Sequence, residues 1–250
     1  MNAISRNPMR LTLTVLVVLS FLVVGMLLGR AAGQGGLALF APTPSLGTST
    51  YLILGYDTLE REGHLLAVWR LTFEGSGQAH LLGLSPATIV FLADGQPAVL
   101  REVLRDPANP TLDGLQAYLT REPEAIVLID NQAFATLVNR LGGVFLDGRS
   151  LKGQEVTEAL GAMQDSPIEA LHYQSRVLRA LASRIPPRPE EYAIAGLAPD
   201  HLRSTLPLGE LITANEMRFP FLGNRITVET LDSVSAFTLP DGSQGLLPTP

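Results

Sequence analysis

Few residues in this 250-residue chain have the type and spacing that catalysis or metal binding needs. Cysteine is absent, which excludes thiol nucleophiles and thiolate metal sites and is compatible with either side of a bacterial membrane. The four histidines, His64, His80, His172 and His201, lack the i, i+4 spacing and flanking ligands of a zinc site, so each reads as a polar or packing residue. Ser85-Pro86 lacks the Gly-x-Ser-x-Gly frame of a nucleophile elbow. His172, Tyr173 and Gln174 fall on one predicted helix and could line a cleft, although such a face is more often solvated surface. Asp57, after a predicted strand and ahead of Thr58, reads as a turn residue first and as a functional carboxylate second.

The elements that position these residues are organised around residues 124–148, EAIVLIDNQAFATLVNRLGGVFLDG. Ala125–Ile129 is a short apolar run rich in β-branched residues, the pattern of a strand buried on both faces. Asp130 or Asn131 supplies an N-cap, and Phe134, Leu137, Val138 and Leu141 recur at helical spacing along one face. Gly142-Gly143 ends the helix and lets the chain reverse into Val144–Leu146 as a further strand. Strand, helix and strand together predict an α/β core.

Upstream, residues 11–29 carry no charge and at about 1.5 Å per residue span roughly 28 Å, the thickness of bilayer hydrocarbon. They predict a transmembrane helix, longer than the apolar core of a cleaved signal peptide. Arg6 and Arg10 before the span, against Arg30 after it, place residues 1–10 in the cytoplasm and everything beyond the span outside. Residues 30–50, rich in Gly and Pro, read as a flexible tether, and 51–250 as one extracytoplasmic domain. Within it, Tyr51–Tyr56, Leu65–Phe73, Gln78–Leu84 and Thr88–Leu92 are strand-like, with a hairpin turn at 74–77. Helices are expected over Gln96–Arg105, Thr111–Arg121, Gln154–Met163 and, from a capping box at Ser166-Pro167-Ile168-Glu169, to about Ile185. A loop and helix region to about Met217 precedes strands at Arg225–Leu231 and Ser233–Leu239. The 46% hydrophobic content suffices for a large core, and a net charge of −6 with only 18 Lys and Arg argues against a nucleic-acid surface.

The strand ending in Ile129-Asp130, the helix with Phe134, Leu137-Val138 and Leu141-Gly142-Gly143-Val144, and the following Leu151-Lys152-Gly153 resemble the centre of the LytR–CpsA–Psr family of bacterial cell-envelope proteins. The resemblance extends from about Leu52 to the C-terminus. It implies a membrane-anchored domain that moves glycopolymers from a polyprenyl-pyrophosphate carrier to the cell wall. In the family, a Gly-x-Asp strand end, an Arg-Ser-Asp-Thr strand start, a Pro-Arg-Asp, an Arg-x-Arg pair and an Arg-Gln helix start grip the pyrophosphate and hold Mg²⁺. Here Gly55-Tyr56-Asp57 matches the first, so the resemblance assigns Asp57 the role of the family carboxylate. His64 stands at the Asp of the second; Pro86 and Ala87 replace Arg-Asp in the third. Gly161 and Met163 fall at the paired arginines, and Tyr173-Gln174 at Arg-Gln. None of these substitutes offers a cationic fork, and only Arg61, Arg70, Arg176 and Arg179 are placed to rescue individual sites.

The expectation is therefore an α/β domain, a central mixed β-sheet flanked by helices, behind one membrane helix. Asp57 is the candidate catalytic residue, and Tyr173, Gln174, Arg176 and His64 are candidate ligand-binding residues. The reading is a catalytically degenerate member that binds a polyprenyl phosphate lipid or envelope glycopolymer, or scaffolds an active paralogue, with no cofactor. The alternatives are an active Mg²⁺-dependent transferase using Asp57 and a ligand-free structural adaptor.

Overall fold

Residues 48–61, 63–74, 78–119, 121–182, 200–206 and 226–249 are described by the computed structural model. The expected membrane helix over 11–29 and most of the tether lie outside them, as does most of the region from 183 to Met217. Among the described residues no helix is long and apolar enough to cross a membrane. In chain order the elements are β1 (Ser49–Tyr56), β2 (Leu65–Phe73), β3 (Ala79–Leu84), β4 (Ile89–Phe91), β5 (Pro97–Val99) and α1 (Leu100–Val103). A 3-10 turn at Gln116–Tyr118, β6 (Ala125–Asp130), α2 (Asn131–Arg140), β7 (Val144–Leu146) and β8 (Arg149–Leu151) follow. The chain continues through α3 (Gly153–Ala162), α4 (Pro167–Ala182), β9 (Leu202–Ser204), β10 (Ile226–Thr230), β11 (Val234–Thr238) and β12 (Gln244–Pro248).

Six strands form one mixed sheet in the order β10-β3-β2-β1-β6-β9. β1, β2 and β3 make an antiparallel meander, β6 runs parallel to β1 on its other side, and β10 runs parallel to β3. Period-two alternation sends Tyr51, Ile53, Trp69, Leu71 and Val127 to one face and Leu52, Leu54, Val68, Ile126 and Leu128 to the other. Every residue of β6 is buried, as expected for a strand with neighbours on both edges and cover on both faces.

This is the mixed sheet flanked by helices that the sequence predicts, but the cover is unequal. α2, α3 and α4 all pack on the first face, through Leu137, Val138, Val156, Leu160, Leu171 and Val177. The second face is covered by α1, the 3-10 turn and the chain between them, through Leu100, Leu104 and Leu115. The helices expected over Gln96–Arg105 and Thr111–Arg121 are therefore corrected to β5 with one helical turn and to a 3-10 turn. Asp94-Gly95, with Gly95 at φ +82°, closes a hairpin that pairs β5 with β4, and Gly114 at φ +75° breaks the second. Val144–Leu146 is the strand expected, and it stands outside the main sheet, pairing with β8 across Asp147-Gly148, whose φ values of 51° and 82° suit a type I′ turn. β9 and β12 were not expected.

The two glycines that carry the family-like pattern have steric reasons. A Cβ on Gly153 would lie 1.9 Å from the Ala135 carbonyl oxygen, because the start of α3 abuts the backbone of α2. Gly143 sits at φ +82°, and its Cβ would lie 2.6 Å from the Leu151 carbonyl oxygen.

Candidate functional site

The parallel pair β1 and β6 ends in register, with Tyr56 opposite Asp130, so both strands release their chains at one edge of the sheet. In open α/β sheets the carboxyl ends of parallel strands are where ligands bind. The chain leaves β1 at Asp57, whose Oδ1 accepts the backbone N–H of Thr58 at 2.7 Å and of His64 at 2.6 Å. Its Oδ2 meets His64 Nδ1 at 3.1 Å, and the Asp57 N–H donates back to the His64 carbonyl. Asp57 thus ties the base of the β1–β2 loop, and His64, the residue aligned with a family carboxylate, is its partner. The His64 side chain is 80% exposed.

At the end of β6, Asp130 caps α2 by accepting the Ala133 N–H at 2.9 Å. Its other oxygen lies 2.6 Å from Nδ1 of His201, and its N–H donates to the His201 carbonyl. Asp130 is buried while His201 remains 29% exposed, so the pair reaches from the core to the surface. Two Asp–His pairs therefore stand on adjacent strand ends. Nothing in one dimension joins residues 71 positions apart, and the sequence reading passed over His201.

Beneath this edge, between the sheet and the helices, lies an apolar cavity of about 90 Å³, partly open to solvent. Ile53, Trp69, Leu81, Phe134, Leu160 and Leu178 form its walls, and Gly55, Tyr56, Asp130 and Asn131 lie toward the strand ends. Among the described residues no lysine or arginine lines it. Gly55 and Ala67 leave room where two strands meet: a Cβ on Gly55 would already touch that of Ala67 at 3.0 Å. Gln174 is the one polar wall residue from α4, and both ends of its amide are engaged. Oε1 accepts Trp69 Nε1–H at 3.1 Å, and Nε2 donates to the Leu66 carbonyl at 2.8 Å.

The candidate residues of α4 divide between two places. Gln174 faces the cavity, whereas Tyr173 and Arg176 line an open groove with Ser166, Glu169 and His172. The Arg176 guanidinium lies 5.6 Å from the Tyr173 ring centroid and pairs with Asp147 at 2.8 Å. Burial raises the Tyr173 hydroxyl above the ordinary tyrosine range, with Arg176 and Arg149 opposing the shift. Arg70 donates to the Tyr118 carbonyl on the opposite face of the sheet, and Arg179 donates to the Val228 carbonyl at 2.8 Å. Arg70, Arg176 and Arg179 are thus all committed elsewhere. Among the described residues no three His, Asp or Glu side chains gather to hold a metal ion. At Asp57, Oδ1 is filled by two backbone donors, so a cation would be left with Oδ2, which is shared with His64.

The fold is LytR–CpsA–Psr-like. No family model matches the chain, and no curated protein matches it by sequence. Solved structures do match by shape. TagV of B. subtilis is 16% identical with a TM-score of 0.62 over 82% of this chain and 92% of that one. TagT bound to LIIa-WTA is 17% identical with a TM-score of 0.63 over 90% and 92%. The Bacillus subtilis protein yvhJ, described as a transcriptional regulator, is 17% identical with a TM-score of 0.61 over 82% and 91%.

Proposed function

We propose that this is a membrane-anchored, extracytoplasmic protein of cell-envelope glycopolymer assembly that holds an isoprenoid lipid by its tail and does not transfer a phosphoryl-linked glycan. The observation that carries this reading is an apolar cavity at the carboxyl ends of β1 and β6 with no Lys or Arg in its lining among the described residues. Diphosphate transfer must neutralise charge developing on phosphate oxygens, and of the four arginines near enough in sequence to do so, Arg70, Arg176 and Arg179 are spent on Tyr118, Asp147 and Val228, while Arg61 is exposed and interacts with Asp106. The structural likeness to TagT bound to LI-WTA and LIIa-WTA supports the glycopolymer setting. A regulator's nucleic-acid role gains no support from a net charge of −6. The uncharged residues 11–29 support the anchor and an outward-facing domain, and a partnership with an active paralogue follows from a binding role without chemistry.

The test is native mass spectrometry of the full chain extracted from membranes in detergent, paired with a Mg²⁺-dependent transfer assay on a polyprenyl-pyrophosphate-linked glycan. A co-purifying polyprenyl lipid without turnover is expected. Mg²⁺-dependent turnover abolished by Asp57→Ala would establish the transferase instead. A chain that never carries lipid would leave the adaptor reading.

A further inference from the structure

The cavity mouth departs from what a phosphate ester needs. A phosphate is drawn to fixed positive charge, from Lys or Arg or from the positive end of a helix. Among the described residues neither Lys nor Arg lines the cavity. The ten-residue helix α2 does begin at the mouth, but its N-terminus is filled from within: the Asp130 carboxylate caps it through the Ala133 N–H. On the neighbouring strand end stands a second carboxylate, Asp57. Both carboxylates are already engaged, Asp57 by the Thr58 and His64 backbone N–H groups and the His64 ring and Asp130 by the Ala133 N–H and His201, and neither offers a donor to an anion. The Asn131 side chain tells in the same direction. It lines the cavity and has no hydrogen-bond partner among the described residues, and its amide offers both donors and an acceptor, the complement of a hydroxyl group.

We propose that the cavity selects an amphiphile with an apolar tail and an uncharged, hydroxyl-bearing head, in preference to the phosphate ester of the same tail. The inference rests on the lipid-holding reading above and specifies the head group. About 90 Å³ is less than the roughly 150 Å³ of a cavity that admits benzene, so a tail enters by one short apolar segment unless Phe134 and Leu178 shift.

The chain contains a single tryptophan, and Trp69 is in the cavity wall, so its fluorescence reports occupancy. Full-length protein in detergent is titrated at pH 8 with geraniol and with geranyl monophosphate. Geraniol is expected to bind at least tenfold more tightly. Asn131→Arg leaves the Asp130 cap in place and supplies the missing cation, and it is expected to narrow or reverse the preference; circular dichroism checks that it folds. Ala67→Leu fills the cavity and is expected to abolish the response to both. Equal or tighter binding of the phosphate by the unmodified protein overturns the head-group inference while leaving the lipid-holding reading intact. Absence of a response to either probe overturns both.

Discussion

Gln174 poses a choice between two roles, since it lines the cavity and yet spends its amide on the fold. Its Oε1 and Nε2 bind Trp69 Nε1–H and the Leu66 carbonyl, so it bolts α4 to β2 at both ends of one amide. Gln174→Ala removes two hydrogen bonds with a net worth of about 1 kcal/mol each and strands the buried indole N–H, a desolvation cost of about 1–3 kcal/mol. A destabilisation of about 3 kcal/mol is expected, which for a domain of this size lowers Tm by roughly 6–12 °C. Thermal unfolding followed by circular dichroism on the full chain in detergent measures it.

The pair Trp69→Phe and Gln174→Leu completes the argument. Replacing both partners by apolar groups removes the stranded donor along with its acceptor, so the double variant should be more stable than the two single changes sum to. A coupling energy of about 1–2 kcal/mol is expected from the cycle. If Gln174→Ala costs under about 1 kcal/mol and the coupling vanishes, the amide is not a structural bolt and its place in the cavity wall calls for a ligand.

Gly153→Ala tests the helix contact behind the Leu151-Lys152-Gly153 pattern. Its Cβ would overlap the Ala135 carbonyl, so a loss of at least about 1–3 kcal/mol is expected in denaturant unfolding; a neutral result would mean that α2 and α3 are not in contact there. Tyr56 gives a pH dependence. Burial first, and Asp106 second, push its hydroxyl well above the ordinary value of 10.0, while it donates to the Leu104 carbonyl at 2.8 Å. A pKa raised in the folded state means the fold prefers the protonated form. This stabilisation is complete below about pH 10 and declines as pH rises beyond it, by about 1.4 kcal/mol per pH unit while only the unfolded chain ionises. Tyr56→Phe should cost about 1 kcal/mol at neutral pH and flatten the decline between pH 10 and 12 by that slope, measured as urea midpoints. An unchanged slope would show that Tyr56 ionises alike in both states.

What the sequence made legible follows the strength of the local signal. β1, β2 and β6 carry apolar runs of β-branched, aromatic and leucine residues, and α2 has both a cap and a glycine stop, so these elements and their positions were predictable. The segment 96–121 was misread because its apolar residues, Leu100, Leu104 and Leu115, satisfy helical spacing while serving to cover a sheet face from a mostly irregular chain. A better signal was present. Asp94-Gly95, Asp147-Gly148 and Asp241-Gly242 lie between the strands of three separate hairpins, and Asp-Gly flanked by apolar residues is among the strongest short-range hairpin signatures. The site was half legible. Asp57 and His64 meet, whereas Tyr173 and Gln174, neighbours in sequence, face different cavities because consecutive helical residues point about 100° apart. Arg176 joins Tyr173, three residues back on the same helical face.

Residues that fix the backbone and residues that would meet a ligand differ in what their substitution costs. Gly153 and Gly143 occupy places where the backbone of another segment, at Ala135 and at Leu151, leaves no volume for a Cβ, and Asp130 closes the end of a helix whose N–H groups would otherwise go unpaired. Substitution at such positions acts on folding itself. A surface side chain that meets a ligand is different: it extends into solvent until the ligand arrives, and its substitution need not disturb the scaffold. Loss of ligand chemistry can therefore proceed while the backbone pattern persists. At the cavity edge the carboxylates are turned inward, Asp57 to its own loop and Asp130 to its own helix and His201. Groups satisfied by the protein in this way stabilise an edge that can receive a neutral ligand, and they oppose the arrival of an anionic one.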